Sequence, residues 1–223
     1  MATHPQREWH PAFEEYCEAI FELREDDVAV KQARIVERLD VSRAAVSEMV
    51  RRMADEGLVE QNDGSIELTT SGESLAQAVV RRHRLAERFL TDILGLSWAD
   101  AHVEAGRWEH VISPTVETAL QRVLGEPTTC PHGNPIPGTD YLDPDAVALD
   151  TLAVGSRFVV RRIPEELEFT PGMLDFLEES SLLPGHIGTV TESDGNGHTV
   201  VEVDGRPIEI DDFTTARILV TAS

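Results

Sequence analysis

Residues 101–112 read A-H-V-E-A-G-R-W-E-H-V-I, and the side chains with chemistry in them are His102, Glu109 and His110. With Gly106 they fall at i, i+4, i+7 and i+8, which is one face of a helix. A buried stripe in those places is ordinarily Leu, Val or Ile. Two imidazoles and a carboxylate there point instead to a divalent metal, because burying them unpaired is costly. The preceding segment, R-R-H-R-L-A-E, offers a partner: His83 and Glu87 stand at i and i+4 on one helical face. Two facing helices bearing His/Glu and His/Glu/His suffice for a metal site. Further on, C-P-H-G sets Cys130 and His132 two apart on a stiff loop, a weaker signal for two more ligands. Glu14, Glu15 and Glu18 cluster near the start of the first helix, where they suit the helix dipole and also offer a carboxylate to a metal.

Composition narrows the setting. The chain has 223 residues, enough for two or three small domains, and 41% hydrophobic residues, as a folded soluble protein has. No apolar run approaches the roughly 20 residues needed to span a bilayer, so no membrane partner is expected. Residues 1–24 show no apolar core before a cleavage site, and two cysteines make no disulfide framework. A reducing cytoplasm is the expected location. The net charge is −22, and Lys31 is the single lysine among 19 basic residues. That acid excess resembles the proteins of halophiles. It argues against nucleic-acid binding only on average, since several stretches are locally basic.

The elements that must hold these residues follow from periodicity. Residues 12–23, 28–39 and 42–54 read as helices, with Ser42 the N-cap of the third. Residues 58–61 and 65–68 read as strands joined by the hairpin turn Asn62-Asp63-Gly64. Helix, turn, helix and a two-stranded wing make a winged helix-turn-helix, whose second helix enters the DNA major groove. Its outward residues are Ser42, Arg43, Ala44, Ala45, Ser47 and Glu48. Small side chains permit close approach, Arg43 reaches a base edge or phosphate, and Glu48 is able to accept from a cytosine amino group. Arg51 and Arg52 follow on the phosphate side. A winged helix used for protein contacts is the alternative.

A long helix is expected over 70–94. Ser97-Trp98-Ala99-Asp100 is a capping box for the next helix, and Ser113-Pro114 starts another that runs to about Leu124. Apolar faces left over in this helical segment suit a dimer interface. Residues 125–150 are irregular, rich in Pro, Gly and Asp. Strands are expected at 156–162, 187–192, 198–203, 206–210 and 216–220, with a helix at 171–179 and turns at 194–197 and 204–205. The expectation is a mainly α fold with β. It comprises a winged helix-turn-helix domain (1–72), an all-helical metal-binding and dimerisation domain (73–145) and an SH3-like β-barrel (146–223).

With these segments in hand, the chain resembles the metal-dependent repressor family typified by the diphtheria toxin repressor, over nearly its whole length. The segments that carry the resemblance are A-R-I-V-E-R-L-D-V-S, V-S-E-M-V-R-R-M, H-R-L-A-E-R-F-L-T-D-I-L-G-L, E-A-G-R-W-E-H-V-I-S and C-P-H-G-N-P-I-P-G. The resemblance implies a dimeric transcriptional repressor that binds operator DNA when Fe²⁺ or Mn²⁺ is abundant and controls metal uptake and storage genes. It implies an ancillary metal site at His83, Glu87 and His102, which Cys130 and His132 join as in manganese-sensing relatives. It implies a primary site with Glu109 and His110, its amino-terminal ligand at Glu15, with Glu18 one turn on as a further acid. The position held by Cys or Glu in relatives is Gly106 here, which leaves a backbone carbonyl or water. For the acids that reach the metal from the barrel, the candidates are Glu166 and Glu168. A Glu, Glu and His set is hard and favours Mn²⁺, while Cys130 keeps Fe²⁺ as the alternative. Two other readings compete: a metal-independent winged-helix regulator with degenerate sites, and a metallohydrolase using Glu109 as base.

Overall fold

The structure is a computed structural model that describes residues 11–142, 145–193 and 198–222. The chain divides into two compact units, one up to Val80 and one from Arg81 onward.

The first unit holds three helices, α1 (Pro11–Glu25), α2 (Gln32–Leu39) and α3 (Arg43–Asp55), then a hairpin of β1 (Val59–Asn62) and β2 (Ser65–Leu68), and the start of α4 (Thr70–Arg88). Phe13, Tyr16, Ile20 and Leu23 come from α1 at helical spacing. They are buried in one core with Ile35 of α2 and with Val46, Val50 and Met53 of α3. Asp40 takes the left-handed conformation at the end of α2 (φ 48°), and Ser42 caps α3 two residues later by accepting from the Ala45 N–H at 3.1 Å. That is a helix-turn-helix. Asp63 (φ 49°) and Gly64 (φ 82°) both have positive φ between the paired Asn62 and Ser65, the geometry of a type I′ hairpin turn. The expected second helix, 28–39, begins only at Gln32. Residues 28–31 stay outside the helix, with Lys31 extended (φ −122°), and the Val30 carbonyl accepts from the Ile66 N–H at 3.0 Å, so backbone pairing with the wing competes with helix here.

The second unit begins within α4, which passes into a π-helical turn at Phe89–Ile93 rather than running regularly to Leu94. Helices α5 (Trp98–Trp108) and α6 (Pro114–Val123) follow, capped by Ser97 and Ser113 as expected. Ala86, Leu90, Ala101, Ala105, Ile112 and Leu120 form a small core between these helices. After an irregular loop come β3 (Val147–Ala148), β4 (Arg157–Arg162), α7 (Glu165–Glu168), α8 (Met173–Glu179), β5 (Ile187–Ser193), β6 (His198–Val203), β7 (Arg206–Asp211), α9 (Asp212–Thr215) and β8 (Leu219–Ala222). The strands pair antiparallel in the order β3-β8-β4-β5-β6-β7. Phe158, Val160, Val190, Val201, Val203 and Val220 supply the buried face of the sheet. The last strand starts at Leu219 instead of 216, since Asp211 accepts from the Thr214 N–H at 2.7 Å and turns residues 212–215 into a short helix. The turn expected at 194–197 lies outside the described residues. Helix α8 also supports the site: its Glu178 accepts from the Trp98 N–H at 3.1 Å, at the start of α5.

Candidate metal centre and nucleic-acid interface

Helix α3 buries Val46, Val50 and Met53 and turns Ser42, Arg43, Ala44, Ala45, Ser47 and Glu48 outward, all exposed. Those six residues therefore lie on the solvent-facing side of α3 and its cap. Arg51 and Arg52 are exposed too, but each has a local partner. Arg51 pairs with Glu48 at 2.6 Å and with Asp55 at 3.4 Å on its own helix, and the Arg52 guanidinium sits 5.3 Å from the centre of the Phe13 ring. Binding DNA through Arg51 requires giving up those pairs, a modest exchange at an exposed site.

The metal-ligand types collect in the second unit. Helix α4 contributes His83 and Glu87, and α5 contributes His102. The loop after α6 gives Cys130 and His132, and the single turn α7 gives Glu168. Glu87 is the hub. Its Oε1 lies 3.2 Å from His83 Nε2, 3.0 Å from His102 Nδ1 and 3.6 Å from His132 Nδ1. Glu168 Oε2 lies 2.8 Å from His132 Nδ1 and 3.3 Å from His102 Nδ1. Two sets, His83/Glu87/His102 and Glu87/Cys130/His132, each have one ligand atom per residue within 4.8 Å of the others. The other nitrogen of His83, Nδ1, meets Glu109 Oε2 at 2.5 Å, and the second Glu109 oxygen lies 3.2 Å from His110 Nε2. A chain of contacts thus runs from His110 through Glu109 and His83 to Glu87.

This cluster is buried, and its charges do not cancel. Glu87, Glu109, Glu165 and Glu168 are all buried carboxylates, and Arg84, wholly buried, pairs with Glu165 at 2.9 Å. Without a further cation, protons must make up the difference. Burial alone would lower the imidazole pKa values, yet neighbouring carboxylates outweigh it. Glu87 and Glu109 hold His83 well above its ordinary value, and Glu168 and Glu87 raise His102 to about 10. Burial likewise works to raise Glu168, but His132 and His102 bring it down to about 2. Burial first, then Glu87 and Glu168, push the Cys130 thiol far up. Glu87 Oε2 and His132 Nε2 are buried with no hydrogen bond, and His83 Nε2 and Glu168 Oε2 have only a carboxylate or an imidazole of the same cluster beside them. Orphaned lone pairs on mixed imidazole and carboxylate donors, with excess negative charge, fit a divalent cation. Such an ion deprotonates a coordinating thiol, so a high Cys130 pKa in the protein alone is no obstacle.

Most of the expected ligands are therefore brought together: His83, Glu87, His102, Cys130 and His132 in one cluster, with Glu109 and His110 adjoining it. One expectation is corrected. His102, Gly106, Glu109 and His110 do not share a continuous helical stripe, because α5 stops at Trp108. Glu109 is the helix C-cap and His110 lies in the turn beyond it. The buried positions of α5 and its cap are Trp98, Ala101, Ala105 and Glu109, and a Cβ at Gly106 meets nothing within 4 Å. Of the two acids weighed after β4, Glu168 joins the cluster. Glu166 turns away to Arg217 at 2.7 Å. Glu15 is exposed and Glu18 buried on α1, within the first unit. Sequence reasoning missed Glu165, Arg84 and Asn134, whose amide donates to Glu168 at 2.6 Å. The signal for Glu165 was present in P-E-E-L-E, where acids three apart flank a buried Leu167.

An exposed winged-helix recognition helix and a buried His/Glu/Cys cluster on one chain define a metal-responsive DNA-binding regulator. Comparison with known proteins agrees. Residues 10–64 match the iron dependent repressor N-terminal DNA binding domain, and residues 69–138 match the iron dependent repressor metal binding and dimerisation domain. The chain is 42% identical over 200 residues to the iron-dependent repressor IdeR of Mycobacterium tuberculosis, covering 84% of this chain and 87% of that protein. It is 39% identical over 217 residues to the diphtheria toxin repressor of Corynebacterium diphtheriae, covering 92% and 95%. Among solved structures, a manganese-dependent transcriptional repressor in complex with manganese superposes with a TM-score of 0.84 at 31% identity, covering 95% of this chain and all of that one. The chain belongs to the iron-dependent repressor family of metal-dependent transcriptional repressors.

Proposed function

We propose that this chain binds operator DNA as a homodimer when Mn²⁺, or alternatively Fe²⁺, occupies the cluster around Glu87, and that it controls genes of metal uptake and homeostasis from the cytoplasm. The observation that carries this reading is the buried cluster of His83, Glu87, His132 and Glu168, in which Glu87 Oε2 and His132 Nε2 have no hydrogen bond and the other ligand atoms meet only one another. His83, Glu87, His102, Cys130, His132 and Glu168 would hold the ion. A bound divalent cation supplies the positive charge that buried carboxylates lack. Glu109 and His110 are ligands of the second site, to which the family resemblance adds Glu15 and Glu18. Gly106 offers no thiolate there, which favours the harder Mn²⁺. Ser42, Arg43, Ala44, Ala45, Ser47, Glu48, Arg51 and Arg52 meet the DNA. Functional boundaries are expected near 72 and 145.

Ile93, Leu94, Val103, Val111, Val116 and Val123 are large apolar side chains left exposed on the helical segment, and they support the homodimer. Two recognition helices then read two half-sites. His83 and Glu87 lie toward the carboxyl end of α4, a helix that begins directly after the wing at Thr70. Gathering their partners on α5, the loop and α7 fixes that end of the helix. By linkage, DNA strengthens metal retention by the same factor as metal strengthens DNA binding. The test is fluorescence anisotropy with the protein's own upstream DNA, in molar KCl to suit so acidic a chain. It is run with chelator, with Mn²⁺ and with anaerobic Fe²⁺. Binding that needs metal supports the reading, and the ion effective at lower concentration identifies the effector. Equal binding in chelator overturns it in favour of a metal-independent regulator.

A further inference from the structure

The loop that carries Cys130 and His132 has almost no secondary structure of its own, yet it is held from several sides. One bridge closes it between Thr129 and Pro135, and Cys130 N–H donates to Asn134 at 2.9 Å. Gly133 (φ +90°) lets the tip approach the end of β4, where a Cβ would meet the Arg161 carbonyl at 2.2 Å. The third support is helix α4. Arg81, Arg84 and Arg88, at i, i+3 and i+7, fall on one helical face and each donates to a carbonyl of the loop. Arg81 donates to Pro137 at 2.7 Å, Arg84 to Pro135, and Arg88 to Thr129 at 2.9 Å. Each guanidinium also has an acid within reach: Glu117 at 2.7 Å for Arg81, Glu165 at 2.9 Å for Arg84 and Asp92 at 3.2 Å for Arg88.

We propose that this arginine ladder positions the Cys130–His132 ligand pair, with Arg88 setting the place of the Cys130 thiol through the carbonyl of the residue before it. The inference rests on the reading of Cys130 as a metal ligand. The same helix carries His83 and Glu87 on its ligand face, so α4 offers two ligands directly and places two more by gripping their backbone. Proline makes this grip necessary. Pro131, Pro135 and Pro137 have no N–H, so the loop is unable to pair extensively with itself and its carbonyls need outside donors. A guanidinium is suited to the role because its donors reach a carbonyl and a carboxylate at once, which a lysine ammonium does less rigidly.

The test uses the full-length protein loaded with Co²⁺, whose ligand-field bands report coordination and whose near-ultraviolet thiolate band reports the Cys130 sulfur. Cys130→Ser should abolish the thiolate band. Arg88→Met, which keeps the apolar stem, should lower that band by at least half at saturating Co²⁺ while ligand-field absorption persists. Arg88→Lys should restore part of it. Arg81→Met, which loosens the far end of the loop, should weaken Co²⁺ retention by a smaller factor, and serves if Arg88→Met fails to fold. A thiolate band in the folded Arg88 and Arg81 variants equal to that of the unaltered protein overturns the positioning role and leaves Cys130 a ligand. A spectrum of the unaltered protein that matches Cys130→Ser overturns both.

Discussion

The recognition helix and the metal cluster are built in opposite ways. Helix α3 and its cap draw the residues proposed to meet DNA from one stretch of about a dozen positions, and all of them face solvent. The cluster takes its residues from α4, α5, a proline-rich loop and α7, spread from His83 to Glu168, and nearly all of them are buried. Exposed chemistry carries little cost in the folded state, so α3 is free to remain a simple amphipathic helix. Buried chemistry must be compensated, so the cluster brings its own counter-charges and a supporting frame: Arg84 for Glu165, Asn134 for Glu168 and the arginines of α4 for the loop. Changes in the cluster should therefore affect stability and metal binding together, and changes on α3 and its cap should leave metal binding untouched.

The largest stability effect is expected at Arg84. Replacing it with Met leaves Glu165 buried without its partner, and breaking a buried pair typically costs about 3–5 kcal/mol. The lower end applies, because Glu165, raised by burial and by Glu168, is able to take up a proton. Chemical denaturation of the metal-free protein measures this, and a change under about 1 kcal/mol, the range of an exposed pair, would break the contrast.

Next comes Glu87→Gln, which removes the carboxylate shared by both ligand sets. Partners one shell outside a metal typically contribute 10–100-fold in affinity, so loss of this ligand should weaken metal binding by more than about 100-fold. Competition with a metal-binding dye reads it. An effect no larger than that of Glu166→Gln, an acid that pairs with Arg217 instead, would show that the cluster does not hold the ion.

The pH dependence sharpens the comparison. His102 is raised in the folded, metal-free protein to about 10, against an unfolded value of about 6.5. Its contribution to stability is complete below that unfolded value and is lost as pH rises toward 10, because the folded state then holds a proton the unfolded state has released. Melting temperatures in chelator should fall across this window. In saturating Mn²⁺ the fall should be smaller, since metal binding already releases those protons. Parallel curves in both conditions would contradict a shared site for protons and metal.

Smaller effects belong to α3. Arg43→Ala should weaken operator binding by about 1–3 kcal/mol if the guanidinium reads a base, with metal affinity unchanged. Ser42→Ala should lower stability by about 1 kcal/mol through the lost cap, with no change in the metal titration measured without DNA. A metal affinity that moved with either would show that α3 and the cluster are not separable in this way.

The same contrast explains what was legible in the sequence. Where a pattern is local, the chain announces it: Ser42 as a cap, Asn62-Asp63-Gly64 as a hairpin turn and the outward small residues of α3 are all short-range patterns. Strand β6 keeps its expected limit at Val203 because the turn at Asp204-Gly205, both at positive φ, follows at once. The cluster was legible where ligands stood at helical spacing, as His83 and Glu87 do. It was misjudged where a helix ended early: Glu109 and His110 looked like members of a stripe, but α5 stops at Trp108. The pairing of Glu165 with Arg84 was illegible for another reason. P-E-E-L-E hints at a buried Glu165, but the two residues are 81 positions apart, and nothing local names the partner or marks Arg84 as buried. Helix 28–39 failed similarly, because the bond between Val30 and Ile66 is invisible to periodicity.

The central claim is that metal held at Glu87 governs DNA binding, and one titration tests it most directly. Labelled upstream DNA is titrated by anisotropy with the unaltered protein and with Glu87→Gln, each in chelator and in Mn²⁺. Tight binding is expected only for the unaltered protein in Mn²⁺, with Glu87→Gln remaining weak in both conditions. Binding by the unaltered protein that is equal in chelator and in Mn²⁺, or a Glu87→Gln variant that responds to Mn²⁺ at the same concentration as the unaltered protein, would contradict it.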